Sequence, residues 1–400
     1  MTTPRSAVPH VDTDARDAAR AVLDELNGHV VMGLPLGLGK PVHFANALYQ
    51  LAIEDPRVHL EIFTALTLQP PLRGRGLAGK FIGPLLDRLF DGVPTLNYER
   101  DRRRGCLPPN VRVSEFYFAP GSQLGVGDAQ REYVSANYTH VVRDLLARGI
   151  NLLATLVAVD ESGPETRYSL SCNPDLTLDL ASARATGREL LVVGQVNQAL
   201  PFMPNDAETG AAFFDYLLRD PGLEHPLFPV LNRPVSLGDY ATGLHVSSLV
   251  PDGGTLQIGI GALGDAVVNA LVQRQHHTTS YQALLDQLID TGRLALRSRV
   301  PVERRGFDRG LYGASEMLVH SFAGLRDAGI LKRTVYPHEG IQRAVNANAD
   351  DDRISIDLLQ AMIAVQAIST PLAADDVGLL QRFAGLDRQA QWSAGEIILG

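Results

Sequence analysis

Two segments of the sequence combine residue types that could do chemistry. The first, Thr255-Leu-Gln-Ile-Gly-Ile-Gly-Ala-Leu-Gly-Asp-Ala-Val267, predicts a short apolar strand, a tight turn and the start of a helix. Because Gly259 and Gly261 carry no side chains, this turn can present backbone N–H groups to an anion. The second segment, Tyr312-Gly-Ala-Ser-Glu-Met317, places the carboxylate of Glu316 beside a hydroxyl group.

Glu316 has two interpretations from its local sequence. It could be a nucleophile, or it could be a carboxylate that stabilises a helix N-terminus through the macrodipole, with Ser315 near the cap. The two roles are compatible, because a helix N-terminus also favours the ionised form of a carboxylate.

The glycine turn also fits the Gly-x-Gly-x-x-Gly fingerprint of dinucleotide-binding folds, with Gly259, Gly261 and Gly264 at its three glycine positions. That fingerprint needs an acidic residue about 20 positions further on, at the end of a second strand, to hold a ribose. Asp286 and Asp290 lie at about that distance, but their segment has helical spacing. A nicotinamide-dependent oxidoreductase is therefore an alternative with weak support.

The stretch from Gly243 to Val267 resembles the acetyl-CoA hydrolase/transferase family, also called the family I CoA-transferases. In that family the loop reads Gly-Ile-Gly-x-x-Pro-x-Ala-Val, and the nucleophilic glutamate stands in a Ser-Glu-Met or Ser-Glu-Val triplet, which Ser315-Glu316-Met317 matches. Two further similarities lie in the first half, at Tyr168-Ser-Leu-Ser-Cys-Asn-Pro-Asp175 and at Gly194-Gln-Val-Asn197 followed by Pro201. The resemblance extends from about Val30 to about Arg333.

The resemblance implies an enzyme that moves CoA between acyl groups and small carboxylates, or that hydrolyses acetyl-CoA. Glu316 would be the covalent nucleophile, and Gly259, Gly261, Ala262 and Gly264 would approach CoA. Gln195 and Asn197, which follow an apolar strand, would line the acyl pocket. Coenzyme A would be a substrate, with no permanently bound cofactor, and the protein would be a homo-oligomer.

Thioester exchange explains why one glutamate suffices. A carboxylate held against an acyl-CoA carbonyl forms a mixed anhydride, from which the released CoA thiolate regenerates a thioester on the enzyme. Attack on that thioester by an acid gives transfer, and attack by water gives hydrolysis. Both steps pass through oxyanions, which need preorganised N–H donors.

Three departures from the family pattern bear on these roles. Gly264 replaces the usual proline, which we expect to change the stiffness of the loop. The long interval between the loop and Glu316 predicts an insertion around Gln275 to Arg309. The second glycine-rich loop that family members carry late in the chain has no equivalent before Gly400, and Glu396 to Gly400 reads as a strand that enters a turn. A truncated active site, or a non-catalytic CoA-binding or assembly subunit, is therefore the second alternative.

Apolar strand patterns alternate with helical patterns along the first half, which is typical of a parallel α/β sheet. Strands are predicted at His29–Gly33, Val58–Phe63, Leu152–Ala158 and Glu189–Gly194, and helices at Asp14–Asn27, from Val42, and at Arg131–Arg148. We expect two open, mainly parallel α/β domains of the CoA-transferase type. We expect residues 1–228 to form the first and residues 229–400 to form the second, which would carry the glycine loop and Glu316, with insertions, and could end before its last elements.

Composition excludes several other classes. Hydrophobic residues make up 45% and charged residues 20% of the chain, as in soluble globular proteins, so neither disorder nor a membrane class is favoured. The net charge of −9 argues against a nucleic-acid binder. No secretion signal or membrane span is evident, and two cysteines form no framework, so we expect a cytoplasmic protein.

Other candidate sites have weaker patterns. Leu36-Gly-Leu-Gly-Lys40 lacks the spacing of a phosphate loop, since Leu34 stands where the first glycine would be, and Pro41 in place of Ser or Thr follows the lysine. Arg100, Arg102, Arg103 and Arg104 could contact CoA phosphates or form a solvated face. The histidines show no metal-ligand spacing, so no metal is predicted, and Cys172 is expected to be a packed thiol.

Overall fold

The computed structural model describes residues 8–71, 73–228, 233–290, 302–315, 319–336, 338–347, 356–382, 391–393 and 396–398. The chain forms two compact units, Met1–Val230 and Leu231–Gly400. The domain boundary expected from the sequence, between residues 228 and 229, stays a prediction.

Unit 1 is built on a sheet that has nine strands among the described residues. The strands are β1 (His10–Asp12), β2 (His29–Gly33), β3 (His59–Thr64), β4 (Val111–Glu115), β5 (Leu152–Asp160), β6 (Arg167–Ser169), β7 (Leu191–Val196), β8 (Glu208–Thr209) and β9 (Tyr216–Leu218). The helices are α1 (Ala15–Glu25), α2 (Val42–Glu54), α3 (Gly76–Leu89), α4 (Asn97–Arg103), α5 (Gly127–Arg131), α6 (Val141–Ala147) and α7 (Pro174–Ser182).

The main part of this sheet is parallel, in the order β1-β9-β7-β5-β2-β3-β4, and β6 and β8 add an antiparallel extension to β5. Its strands are apolar on both faces, because helices cover both. Met32 and Ile62 pack into the core with α1 and α2, whereas Phe63 and Leu153 pack on the other side with α6 and α7. The period of two along each strand thus divides the core into two layers.

Local sequence explains the helix that opens this unit. Asp14 accepts hydrogen bonds from the N–H groups of Arg16 (2.7 Å) and Asp17 (3.0 Å), so it caps α1. Ala18, Val22 and their neighbours at helical spacing form the buried face.

Unit 2 is mostly helical where it is described. Its helices are α8 (Leu237–Ser247), α9 (Ala262–His276), α10 (Thr278–Asp290), α11 (His320–Asp327), α12 (Glu339–Ala347), α13 (Ile356–Ala364) and α14 (Ala374–Arg382). Its strands are β10 (Thr255–Gln257) and β11 (Tyr312–Ala314), which pair in parallel, and β12 (Gln391–Ser393) and β13 (Glu396–Ile398), which pair antiparallel. One core lies around β10, α9 and α11, and another among α12, α13 and α14.

The large parallel sheet with helices on both faces confirms the α/β class. The predicted strands correspond to β2, β3, β5 and β7, and α1 and α2 begin where the sequence placed them. The helix predicted at Arg131–Arg148 is wrong, because only Val141–Ala147 forms an α-helix. Val134 donates instead to the carbonyl of Glu115 at 2.9 Å, so the preceding segment pairs with the end of β4.

A buried ion network joins α4 to the carboxyl end of β4. The guanidinium of Arg102 contacts the carboxylates of Glu99 and Glu115, each at 2.5 Å, and all three side chains are buried. Burial alone would lower the pKa of Arg102, but the charges of Glu115 and Glu99 outweigh it and raise the pKa. Gln123 donates to Glu99 at 2.9 Å, and Thr67 donates to Glu115. The loops after β3 and β4 are thereby fixed to α4.

We expect Arg102→Met to lower the free energy of unfolding by about 3–5 kcal/mol, because two buried carboxylates lose their shared cation. Arg57→Met is the matched control: Arg57 pairs with Asp55 at 2.7 Å but is 89% exposed, so its loss should leave the free energy of unfolding close to that of the parent. Urea unfolding followed by circular dichroism measures both. Equal stability of the two variants would show that the network contributes nothing.

Candidate functional site

The glycine loop of unit 2 connects β10 to α9. β10 pairs with β11 in the register Thr255 with Tyr312 and Gln257 with Ala314, and the N–H of Ile258 extends the pairing by donating to the Ala314 carbonyl at 3.2 Å. The chain then turns through Gly259 to Gly261, where Gly261 has a φ of 138° and precedes the first residue of α9. This conformation favours glycine.

Three backbone N–H groups of the loop have no hydrogen-bond acceptor among the described residues. Among the described residues, no group accepts a hydrogen bond from the N–H of Gly259, Ile260 or Gly261, and α9 begins without a capping side chain. Gly259 and Ile260 are exposed to solvent. The first N–H groups of a helix carry partial positive charge, so this turn is suited to an anion or a developing oxyanion.

Gly264 has a steric role that the sequence did not reveal. A Cβ atom at this position would lie 2.6 Å from the carbonyl oxygen of Gly259 and 3.1 Å from Cγ2 of Ile258. The expectation that Gly264 only changes loop stiffness is therefore incomplete, because the first turn of α9 packs directly on the loop. Gly259 and Gly261 have open space at the corresponding positions.

Glu316 lies outside the described residues, as do Met317 and Leu318, but the residues on both sides of this triplet are held near the glycine loop. Ser315 donates from Oγ to the Ile258 carbonyl at 3.1 Å. Ser321 donates from Oγ to the carboxylate of Asp265, in the first turn of α9, and Val319 is buried in the same core as Ile258. The described residues on either side of the predicted nucleophile are thus bonded to the two ends of the loop.

Two charged side chains, Arg274 and Asp252, bind main-chain groups of the segment that leads into β11; we call this pair the polar clamp. The buried guanidinium of Arg274, on α9, donates to the carbonyls of Ser247 (2.9 Å), Val250 (2.7 Å) and Arg305 (2.6 Å), and it lies 4.3 Å from the ring centroid of Phe307. The carboxylate of Asp252 accepts N–H bonds from residues 308, 309 and 310. Sequence analysis missed both residues, because nothing in their local pattern distinguishes a clamp from a surface charge.

The predicted insertion around Gln275 to Arg309 begins as helix α10. Asp286 lies within this helix and pairs with Arg304 at 2.7 Å. Asp286 therefore does not stand at the end of a second strand, as a ribose-binding acid of a dinucleotide fold would.

In unit 1, Gln195 and Asn197 are buried at the carboxyl end of β7. Gln195 accepts from the N–H of Phe44 at 3.2 Å, and Asn197 donates to the His225 carbonyl at 3.0 Å and accepts from the N–H of Ala199 at 2.9 Å. Their amide groups thus bind main-chain groups of unit 1. Their predicted place in the acyl pocket stays a prediction.

Lys40 is the residue of unit 1 that sequence reasoning undervalued. It is buried, and its Nζ donates to the carbonyls of Ala65 (2.7 Å), Gly37 (3.4 Å) and Leu66 (3.4 Å). These groups all lie in the turns that follow β2 and β3. Burial lowers the pKa of Lys40 to about 7, despite the carboxylates of Glu115 and Glu99 nearby.

Two minor interpretations from the sequence need correction. Arg102 of the α4 cluster is buried and so is not open to a phosphate, while Arg103 pairs with Glu99 at 2.6 Å and Arg100 pairs with Asp101 at 3.0 Å. Arg104 is exposed, and its predicted phosphate contact stays a prediction. Cys172 is exposed rather than packed. In the described ranges, no cluster of three metal-ligating side chains occurs, and no helix is long and apolar enough to span a bilayer.

The close approach of α9 to the loop predicts different effects of two alanine substitutions on stability. We expect Gly264→Ala to lower the thermal unfolding midpoint, although alanine has the higher helix propensity by about 1 kcal/mol, because the added Cβ collides with the Gly259 carbonyl. Gly259→Ala, which adds the same methyl group in open space, should leave the midpoint unchanged. Differential scanning calorimetry of the two variants checks this, and a Gly264→Ala protein as stable as the parent would refute the packing argument.

The burial of the Lys40 ammonium predicts that the free energy of unfolding depends on pH. Between pH 7 and pH 10.5 the unfolded chain keeps a proton on Lys40 that the folded chain has lost, so this residue makes the free energy of unfolding rise with pH. Below pH 7 both states hold the proton, and the full cost of burying the charge is present. The stability of the parent relative to Lys40→Met should therefore increase from pH 7 to pH 10, as measured by urea unfolding at several pH values. A constant difference would contradict the prediction.

Comparisons with known proteins identify proteins that part of this chain resembles. No family model matches the chain. The 4-hydroxybutyrate coenzyme A transferase of Clostridium kluyveri is 36% identical over 153 residues, which are 38% of this chain and 33% of that protein. The succinyl-CoA:cyclohexane-1-carboxylate CoA transferase of Geobacter metallireducens is 25% identical over 185 residues, which are 46% of this chain and 40% of that protein.

Solved structures with some similarity include RipA from Yersinia pestis, with a TM-score of 0.48, 17% identity, and coverage of 80% of this chain and 58% of that one. Another is 4-hydroxybutyrate CoA-transferase from Porphyromonas gingivalis, with a TM-score of 0.40, 16% identity, and coverage of 76% and 67%. The chain spans between about a third and two fifths of the length of the curated relatives it matches. Over that part, the curated relatives confirm the resemblance that the sequence indicated, because they are CoA transferases to which this chain is similar.

Proposed function

We propose that this chain transfers CoA between acyl-CoA thioesters and small carboxylates, with Glu316 as the covalent nucleophile. The observation that carries the proposal is the anchoring of both flanks of the 316–318 segment to the glycine loop. Ser315 bonds to the Ile258 carbonyl, at the start of the loop, and Ser321 bonds to Asp265, just after it. The names of the curated relatives, which are CoA transferases, support the same activity.

The reaction begins with attack of a Glu316 carboxylate oxygen on the thioester carbonyl carbon. The C–S bond breaks, CoA leaves as the thiolate, and an acyl-glutamyl anhydride remains. The thiolate then attacks the glutamyl carbonyl carbon, the anhydride C–O bond breaks, and the first carboxylate leaves. An acceptor carboxylate repeats the sequence in reverse on the glutamyl-CoA thioester, and the enzyme carboxylate is restored with atoms and charge in balance.

The glycine loop supplies stabilisation where negative charge develops. Its open N–H groups at Gly259 to Gly261, together with the positive end of α9, can donate to the oxyanion of each tetrahedral intermediate. Ala262 and Gly264 lie in the first turn of α9, so they bring the same helix end to CoA. Removal of one oxyanion donor from an enzyme typically costs about 10²- to 10³-fold in kcat.

Water in place of the acceptor acid would make the protein an acetyl-CoA hydrolase. CoA would be a substrate in both cases, and the cytoplasmic location and homo-oligomeric state stay predictions from the sequence and the resemblance. A non-catalytic CoA-binding subunit is the competing proposal.

Trapping the thioester tests the proposal. We expect incubation with acetyl-CoA to add the mass of CoA, less water, to the peptide that contains Glu316, as measured by peptide mass spectrometry at mildly acidic pH. Glu316→Gln should abolish the adduct, because an amide is not a competent nucleophile.

The matched control is Glu339→Gln. Glu339 lies in the first turn of helix α12, where it pairs with Arg343, so it has the local features of a macrodipole carboxylate without the glycine loop. Its variant should keep the adduct. A folded parent protein that binds CoA but forms no adduct would instead support the non-catalytic proposal.

A further inference from the structure

We propose that unit 1 binds a divalent metal ion that prefers imidazole ligands, such as Zn²⁺, between His29 and His59. The two histidines are the first residues of β2 and β3, so they stand at the edge where these parallel strands begin. The turns that follow the strands lie at the opposite edge. The inference goes beyond the proposed function, because its residues all belong to unit 1 and no step of thioester exchange uses them.

Strand pairing brings the two histidines together. His29 and His59 are direct partners in the parallel register of β2 with β3. Their neighbours Val30 and Leu60 are buried in the core that contains α1 and α2, so the period of two directs both histidines to the other face of the sheet. Both are exposed there. The sequence predicted no metal, because the whole of α2 lies between the two histidines in the chain.

The separation of the two rings fits two ligands of one ion. The ring centroids of His29 and His59 lie 4.8 Å apart, and the ring planes make an angle of 32°. Two imidazoles that bind one ion at metal–nitrogen distances of about 2.0–2.1 Å, at square-planar or tetrahedral angles, hold their centroids about 4.5–5.2 Å apart. The observed separation falls in this interval, so an ion could be bound without any movement of the strands.

The ring nitrogens of both histidines are available. Among the described residues, no group forms a hydrogen bond or an ion pair with a ring nitrogen of His29 or His59. The ring of His10, by contrast, is bonded to the carboxylate of Asp12 at 3.0 Å. Imidazole nitrogen is a preferred ligand of Zn²⁺, Cu²⁺ and Ni²⁺, whereas Mg²⁺ and Ca²⁺ prefer oxygen. The pair therefore favours the first group of ions.

A cavity of about 260 Å³ adjoins the histidine pair, and Glu61, Asn110 and Arg112 are among its other lining residues. It has room for several water molecules at about 30 Å³ each. Two imidazoles are fewer than the four ligands of a structural zinc site, so water would complete the coordination and the ion would be exchangeable. Glu61 is not counted as a ligand, because its carboxylate pairs with Arg148 at 2.6 Å.

The charges around this cavity are balanced. Arg112 pairs with Glu132, and Arg148 pairs with Glu61, each at 2.6 Å. Each of these guanidinium groups therefore has its own carboxylate, and a divalent ion at the histidine pair would meet little net repulsion from them.

Nuclear magnetic resonance of the full-length protein with 15N-labelled histidine tests the site with Zn²⁺ alone. We expect Zn²⁺ to shift the ring-nitrogen resonances of His29 and His59 together and saturably, at one ion per chain. Mg²⁺ at the same concentration should leave them unchanged. The two resonances are assigned by their loss in His29→Gln and in His59→Gln. The resonance of His140, which is also exposed, should not move.

Calorimetric titration measures what each histidine contributes. Loss of either one should weaken Zn²⁺ binding by about 10²-fold, because the second imidazole of the pair binds intramolecularly. His140→Gln is the matched control and should keep the affinity of the parent. Glu316→Gln should bind Zn²⁺ as the parent does, so the result is independent of the thioester experiment.

Four results would overturn the inference. They are a Zn²⁺ titration that moves only one of the two rings, an affinity that is unchanged in His29→Gln, an equal shift with Mg²⁺, and a shift that His140 shares, which would indicate adventitious surface binding only. The joint shift of two ring resonances is measured on the parent protein, so it stands even where a variant fails to fold.

Discussion

Parallel strand pairing is the constraint on which the rest of this structure depends. Parallel neighbours end at the same edge of a sheet, so the turns that follow them come together whatever their separation in sequence. In unit 1 this edge collects the turn at Lys40, the Ala65–Thr67 turn and the carboxylate of Glu115. In unit 2 the pairing of β10 with β11 brings Ser315 within one hydrogen bond of Ile258, 57 positions earlier in the chain.

Turns at such an edge leave carbonyl groups that strands no longer satisfy, and buried carbonyls need donors. Both units meet this need with a buried cation. Lys40 binds the carbonyls of the turns after β2 and β3, and Arg274 binds those of Ser247, Val250 and Arg305. Burying these charges is costly, as the lowered pKa values of Lys40 and Arg274 indicate, and burial is the main cause of both. As a result, the loops at this edge, where α/β proteins bind ligands, are held in one geometry.

The glycines show how one residue type serves different physical needs. Gly261 adopts a φ that other residues avoid, and Gly259 keeps a backbone surface open. Gly264 has ordinary helical surroundings but no room for a side chain, and at Gly39 a Cβ atom would lie 1.8 Å from Nδ2 of Asn173. A sequence motif records all of them as the same letter.

The sequence by itself determined the α/β class, the strands β2, β3, β5 and β7, the glycine turn and the homology to CoA-transferases. These features follow from local periodicity and from the types of neighbouring residues. Tertiary structure decided the rest. Arg102 is buried in an ion network and is not a phosphate ligand, and Tyr133 and Val134 pair with the end of β4 in place of continuing a helix. Gly264 packs on Gly259, and Lys40 borders a cavity. The reason is that the burial of a side chain and the partners of a charge depend on residues distant in sequence. A single sequence does not show which of these residues are in contact in the folded protein.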